Sequence, residues 1–164
     1  MKKYLLLILC LVILITGCSN KKDNSISLKK GDIVVTCKSD NLGDSVIKMY
    51  STVTSNFDKK KNIMNYKVET KEIHTNKKTF NDKKKLYDET YKDQKQSENS
   101  RIEYKVDVKN KTFTIISVIN NINIDSYGEE EKKNYELSTY IKNYESGPYK
   151  CKVDGISRKK LGLK

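Results

Sequence analysis

The 164-residue chain carries 33 basic and 21 acidic side chains, one histidine and a formal charge of +12, at a mean hydropathy of −0.73. One proline and seven glycines exclude a low-complexity linker, and the dense run Ile115, Ile116, Val118, Ile119, Ile122 and Ile124 excludes a wholly solvated chain. Apart from Arg101 and Arg158 every basic residue is a lysine, a point charge without arginine's planar fork, so the charge reads first as a solvated surface and not as a nucleic-acid interface.

The chain opens with Lys2 and Lys3, then the apolar run Tyr4 to Ile15, then Thr16-Gly17-Cys18. A positive start, an apolar core too short to span a bilayer and small residues before a cysteine form the pattern of a lipoprotein signal peptide. On this reading residues 1–17 are removed, and Cys18 is lipidated and anchors the mature chain to the extracytoplasmic face of the cell membrane. Without Lys2 and Lys3 the mature 147 residues hold 31 basic against 21 acidic side chains, a charge of +10 that faces the envelope. Residues 18–30 have no sustained period and read as a tether with a reach of up to about 40 Å.

A single domain is expected over residues 31–154. Its first strand covers Asp32 to Lys38, and Asn41-Leu42-Gly43-Asp44 is a turn signal. Val46 to Phe57 alternates, with Ile47, Met49, Ser51, Val53 and Phe57 on one side; a charged hairpin at 58–62 returns the chain into a third strand ending at Lys71. Phe80, Tyr87 and Tyr91 then share one helical face, with Thr79 and Asp82 as its expected capping box and fraying by Ser97 to Ser100. A second hairpin follows, turning near Lys109-Asn110-Lys111, with Ile116, Val118, Ile122 and Ile124 expected on one face of its return strand. Ser126 and Glu129 form another expected capping box, opening a helix through Leu137, Tyr140, Ile141 and Tyr144 that Gly147 and Pro148 stop. A last strand surrounds Cys151, and residues 155–164 read as a mobile basic tail. The order β-β-β-α-β-β-α-β gives an α+β fold, a mostly antiparallel sheet of five to six strands with two helices on one face.

Of four cysteines, Cys10 falls in the signal and Cys18 at the lipid site. Cys37 and Cys151 remain as a pair near the two ends of the domain. Outside the cytoplasm a disulfide between them is expected; two buried free thiols are the alternative, and with a lone His74 they do not complete a tetrahedral metal site.

Val35-Thr36-Cys37-Lys38 after the tether, two blocks of alternating strands each followed by a helix, Asn121-Ile122-Asn123-Ile124-Asp125, and Tyr149-Lys150-Cys151-Lys152 together resemble the YehR-like family of small bacterial lipoproteins of unknown function. The resemblance spans most of residues 31–153. It implies a compact α+β lipoprotein with no assigned catalytic residues.

No catalytic or cofactor motif stands out. His74 sits in a polar stretch and reads as a surface histidine without a Gly-x-Ser-x-Gly elbow. Asp82, Asp88, Glu89 and Asp93 lie among lysines rather than as a glycosidase pair, and Glu129 to Glu131 suit a helix start better than calcium. Ten tyrosines survive in the mature chain; Tyr87, Tyr91, Tyr140 and Tyr144 pack a core edge or form a binding surface, the latter where lysines border them. The expectation is a non-enzymatic, lipid-anchored envelope protein needing no metal or cofactor, whose partners are the membrane through its lipid and anionic wall polymers or an envelope protein. Its alternative is an extracytoplasmic ligand-binding or carrier domain with a pocket between helices and sheet; a wall-modifying hydrolase is a third.

Overall fold

The computed structural model describes Ile26, Lys29 and residues 31–40, 42–94 and 96–164. The expected signal peptide, Cys18 and nearly all of the tether lie outside the described residues. Six strands, β1 (Ile33–Ser39), β2 (Ile47–Phe57), β3 (Ile63–His74), β4 (Ser100–Asp107), β5 (Thr112–Ile119) and β6 (Tyr149–Asp154), form one sheet in the order β4-β5-β3-β2-β1-β6. Every pairing is antiparallel. Three helices, α1 (Lys77–Tyr91), α2 (Glu129–Tyr135) and α3 (Leu137–Glu145), complete the described fold with short 3-10 turns at Ile124–Ser126 and Arg158–Leu161. The fold is α+β, as the sequence pattern indicates, with one helix more than expected.

Local chemistry explains the hairpins. Asp44 Oδ1 accepts the backbone N–H groups of Val46 and Ile47 at 2.7 and 2.8 Å and so starts β2. Asp58 accepts from Asn62 N at 2.9 Å and lets Lys61 take φ +70°, and Asp107 accepts from Asn110 N at 3.0 Å beside Lys111 at φ +49°. Short carboxylates in such turns replace the hydrogen bonds the strands give up.

Period-2 alternation then sorts the strands into two faces. On one, Ile33, Val35 and Cys37 of β1 and Val53 and Phe57 of β2 pack with Ile63 and with Leu137, Tyr140 and Ile141 of α3. Ile141 is fully buried and Leu137 is 2 % exposed; each such side chain contributes roughly 1.5–3 kcal/mol. On the same face, towards β5 and β4, α1 lowers Phe80 onto Phe113. Among the described residues the opposite face carries no helix.

Three expectations about the helices change. Asn76, not Thr79, caps α1, its Oδ1 accepting from Lys78 N at 2.7 Å and Thr79 N at 3.4 Å, and the helix ends at Tyr91. The second helix starts at Glu129 behind Gly128, whose N–H donates to Glu131 Oε2 at 3.4 Å, while Ser126 closes the preceding 3-10 turn on Asn123 O. That helix is also broken, with Glu136 in extended backbone at φ −59°, ψ 129°. Residues two apart on a continuous helix point to nearly opposite sides; the break lets Tyr135 and Leu137 both reach the core.

Ile122 and Ile124 also depart from expectation. β5 ends at Ile119, and Asn121 adopts φ +55° and donates its N–H to Asn65 Oδ1 at 2.9 Å. The chain thereby leaves the sheet, so Ile122 and Ile124 join the helix-side core while Ile116 and Val118 lie on the opposite face. Residues 155–164 are not a free tail: Arg158 pairs with both oxygens of Glu145 at 2.9 Å, and Ile156, Leu161 and Leu163 pack on the core. Apolar residues interleaved with the lysines give the segment a face to bury, a pattern its charge obscures.

Candidate functional site

Cys37 and Cys151 are direct cross-strand partners in β1 and β6, joined by a disulfide with Cα atoms 4.0 Å apart. The bridge ties the first strand to the last across 114 residues, and the Cys37 side lies fully buried in the core.

The four expected tyrosines do not form one surface. Tyr87 and Tyr91 sit under α1 in a nest with Tyr104 and Phe113: Tyr87 meets Phe113 edge-on at 5.3 Å, and Tyr91 stacks on Tyr104 at 5.2 Å. Tyr140 and Tyr144 lie at the other end of the sheet with Tyr149 and Phe57. Tyr140 is 7 % exposed and its hydroxyl is hydrogen-bonded to Ser55 Oγ, which makes it a core residue. Burial first, then neighbouring charge or phenols, pushes Tyr66, Tyr87, Tyr104 and Tyr140 well above the ordinary tyrosine range, and Tyr135 to about 12.

His74 is corrected from surface to core, with 1 % exposure. β3 runs three residues beyond the expected end at Lys71, so the alternation Tyr66, Val68, Thr70, Glu72, His74 carries both last residues beneath α1. The ring packs edge-on against Phe80 and Phe113, at 6.0 and 5.2 Å. Its Nε2 stands 3.4 Å from Glu72 Oε2, and the Tyr87 hydroxyl donates to Glu72 Oε1 at 2.7 Å. Among the described residues Nδ1 has no hydrogen-bond partner, so Nε2 is the ring nitrogen that meets the carboxylate. A histidine beside a carboxylate is the chemistry of a general base, yet this side chain is fully enclosed and presents no nitrogen to solvent. The Glu72–His74–Tyr87 node therefore binds α1 to β3.

An open depression of about 420 Å³ lies on the outer flank of α1, lined by Asn81, Lys84, Lys85, Asp88, Glu89 and Lys92. It lies beside the helix rather than between helix and sheet, and the space beneath α1 is filled by Phe80, Tyr87 and their partners. Asp88 is engaged by Lys84 and the Tyr104 hydroxyl. Among the described residues no three His, Cys, Asp or Glu side chains converge as a metal site.

The helix-free face of the sheet divides in two. Across β3, β5 and β4, Ile116 and Val118 are buried at 7 and 1 % exposure. The long side chains around them pair with one another: Lys67 with Glu69, and Arg101 and Lys105 with Glu103. Snorkelling stems cover the apolar patch, and each of these cations has an acid partner, Glu103 serving two of them. Across β3, β2, β1 and β6 the surface differs. Tyr50, 38 % exposed, stands directly opposite Lys71, two residues from Lys48 on the same strand. Lys38, opposite Thr52, is the direct cross-strand partner of Lys150. Among the described residues Lys38, Lys48, Lys71 and Lys150 form no ion pair. Like charges directly opposite each other destabilise a sheet; the acids on this half, Glu69 opposite Thr52 and Asp154 on β6, are held by Lys67 and Lys152 and leave the Lys38–Lys150 pair unmatched. Tyr50 is not among the helix tyrosines expected as a binding surface; the alternation Lys48, Tyr50, Thr52, Thr54 on the polar side of β2 is what marks it in the sequence.

No protein-family model, curated protein or solved structure matches the chain.

Proposed function

We propose that this chain is a lipid-anchored, non-enzymatic binding protein of the cell envelope, held to the extracytoplasmic face of the membrane through Cys18. The observation that carries the reading is the disulfide between Cys37 and Cys151: structural disulfides persist in oxidising compartments and are rare in the cytosol. It agrees with the export pattern at the N-terminus and with the YehR-like resemblance, which rests on the motifs quoted for it. Binding is assigned to the helix-free face because two layers bury the other face and leave this one to solvent.

The test is fractionation of the native host expressing the full chain or its Cys18→Ala variant, with labelled fatty acid and with maleimide trapping of free thiols. The wild-type chain is expected in the membrane fraction, labelled and without reactive thiols, and the variant unlabelled. A wild-type chain that is unlabelled and cytosolic, with Cys37 and Cys151 alkylated, would sink the reading.

A further inference from the structure

We infer that Lys38, Lys48, Lys71 and Lys150, grouped around Tyr50 on the helix-free face, form a binding site for a linear phosphodiester polyanion of the cell wall. The inference deepens the proposed envelope-binding function and rests on it.

Three features of the molecule carry it. The first is the contrast within one face. Where β3, β5 and β4 meet, the lysines and Arg101 are paired with acids and lie over apolar side chains; across β3, β2, β1 and β6 four lysines have no acid partner, and two of them are set directly opposite each other. A surface evolved only for solubility gains nothing from that placement, whereas an incoming anion relieves it.

The second is shape. The four lysines come from four neighbouring strands, Lys71 on β3, Lys48 on β2, Lys38 on β1 and Lys150 on β6. Lys38 and Lys150 stand level with each other, opposite Thr52, whereas Lys71 lies two residues and Lys48 four residues further along their strands, so the cations spread over a staggered band rather than converging on a point. A band of flexible point charges suits a chain of repeating phosphates; a single phosphate calls for a fork of arginine or buried amides. Tyr50, opposite Lys71 and two residues from Lys48, offers a flat apolar ring for the carbon backbone of such a polymer and a hydroxyl that donates to a phosphate oxygen.

The third is position. The tether meets the sheet at the Ile33 end of β1, next to Phe57 of β2. Lys38 lies five residues further along, about 17 Å away, and Lys48, Lys71 and Lys150 cluster at that same end, since Ile47 pairs with His74 and Ser39 with Tyr149. The lysines are therefore at the end of the sheet opposite Ile33, where the described chain enters it. With anchoring through Cys18, that is the end farther along the chain from the lipid, and the vesicle arm of the test below separates wall polymer from lipid headgroups.

The test uses the mature chain with Cys18→Ser, titrated with poly(glycerol phosphate) and, separately, with phosphatidylglycerol vesicles, at several salt concentrations. Two charge-matched variants accompany it: Lys38→Gln/Lys48→Gln/Lys71→Gln/Lys150→Gln on the face, and Lys77→Gln/Lys85→Gln/Lys92→Gln/Lys109→Gln elsewhere on the surface. All eight lysines are exposed, and circular dichroism and melting report whether each variant is folded. The wild-type chain is expected to bind the polymer with a log–log salt slope near −3, by analogy with about −0.7 per neutralised phosphate of a single strand. The face variant is expected to lose at least tenfold in affinity and most of that slope, the control variant less than threefold. Equal losses in both variants, or binding to vesicles alone, would overturn the site while leaving an envelope-binding protein in place. Failure of the wild-type chain to bind either the polymer or isolated cell walls would overturn the binding function as well.

Discussion

Reducing the Cys37–Cys151 bridge perturbs stability by an amount that the topology sets. The bond closes a loop with a sequence separation of 114, for which the chain-entropy relation gives about 16 cal/mol/K, or about 4.8 kcal/mol at 25 °C. With an unfolding entropy of about 2.1 cal/mol/K per residue over roughly 130 folded residues, that loss lowers Tm by about 15–20 °C. Reduction is preferable to substitution here, because Cys37 is fully buried and replacing it would add a packing change to the entropy. The assay is thermal melting of the Cys18→Ser mature chain, oxidised against a sample unfolded, reduced and refolded in excess reductant, with mass spectrometry after thiol alkylation to confirm full reduction. A fully reduced sample that melts within about 5 °C of the oxidised one would refute the view that the bridge acts by constraining the unfolded chain.

Other consequences follow from the buried polar groups and the docked C-terminus. Tyr87→Phe deletes the hydroxyl that donates to Glu72, a residue 3 % exposed, and is expected to cost about 1–3 kcal/mol in urea unfolding at pH 7. Arg158→Ala frees Glu145 and releases residues 155–164, with an expected loss of about 1 kcal/mol and faster proteolysis after Lys159 or Lys160. Because Arg158 holds the Glu145 carboxyl below its ordinary value, the wild-type advantage is complete above the unfolded carboxyl pKa and disappears as pH falls through the lowered folded one; denaturation curves at pH 7 and pH 3 check it. The buried tyrosines act at the other extreme. Tyr66, Tyr87, Tyr104 and Tyr140 are raised in the fold, so stability is unaffected below pH 10 and declines above it as the unfolded phenols ionise. Absorbance at 295 nm is expected to show these phenols ionising only together with unfolding.

The strands were legible because alternation in β2 and β3 is a local property of the chain, and their turns carry Asp and Asn where the backbone needs acceptors. What was not legible depended on partners far away in sequence. His74 and Glu72 look like surface residues until Phe80 and Phe113 close over them, and nothing near residue 74 announces residue 113. The break at Glu136 is dictated by two side chains that must reach one core, although the local sequence favours continuous helix. Arg158 could not be matched to Glu145 by spacing, and the lysines around it hide Ile156, Leu161 and Leu163. The lysine band is the extreme case: its members are scattered between residues 38 and 150, and only strand order and register bring them onto one end of one face.

The bridge and the band are not independent. Successive residues of a strand point to opposite faces, so Cys37 and Cys151 face the core while Lys38 and Lys150, one residue on and one residue back, face solvent as the next cross-strand pair. The disulfide thus holds together the two strands that bring these ammonium groups side by side against their mutual repulsion. Among the described residues β6 is an edge strand, paired on one side alone to β1, so the covalent link adds to that ladder and to the packing of Tyr149 and Val153 in opposing its displacement. Reduction below the reduced protein's melting temperature is therefore expected to weaken polymer binding by severalfold while leaving the helical signal intact. Adding Lys150→Gln to the oxidised chain is expected to reproduce most of that loss. Full affinity in a reduced, folded protein would show that the strand pairing alone suffices to keep Lys38 beside Lys150, and that the bridge serves stability only.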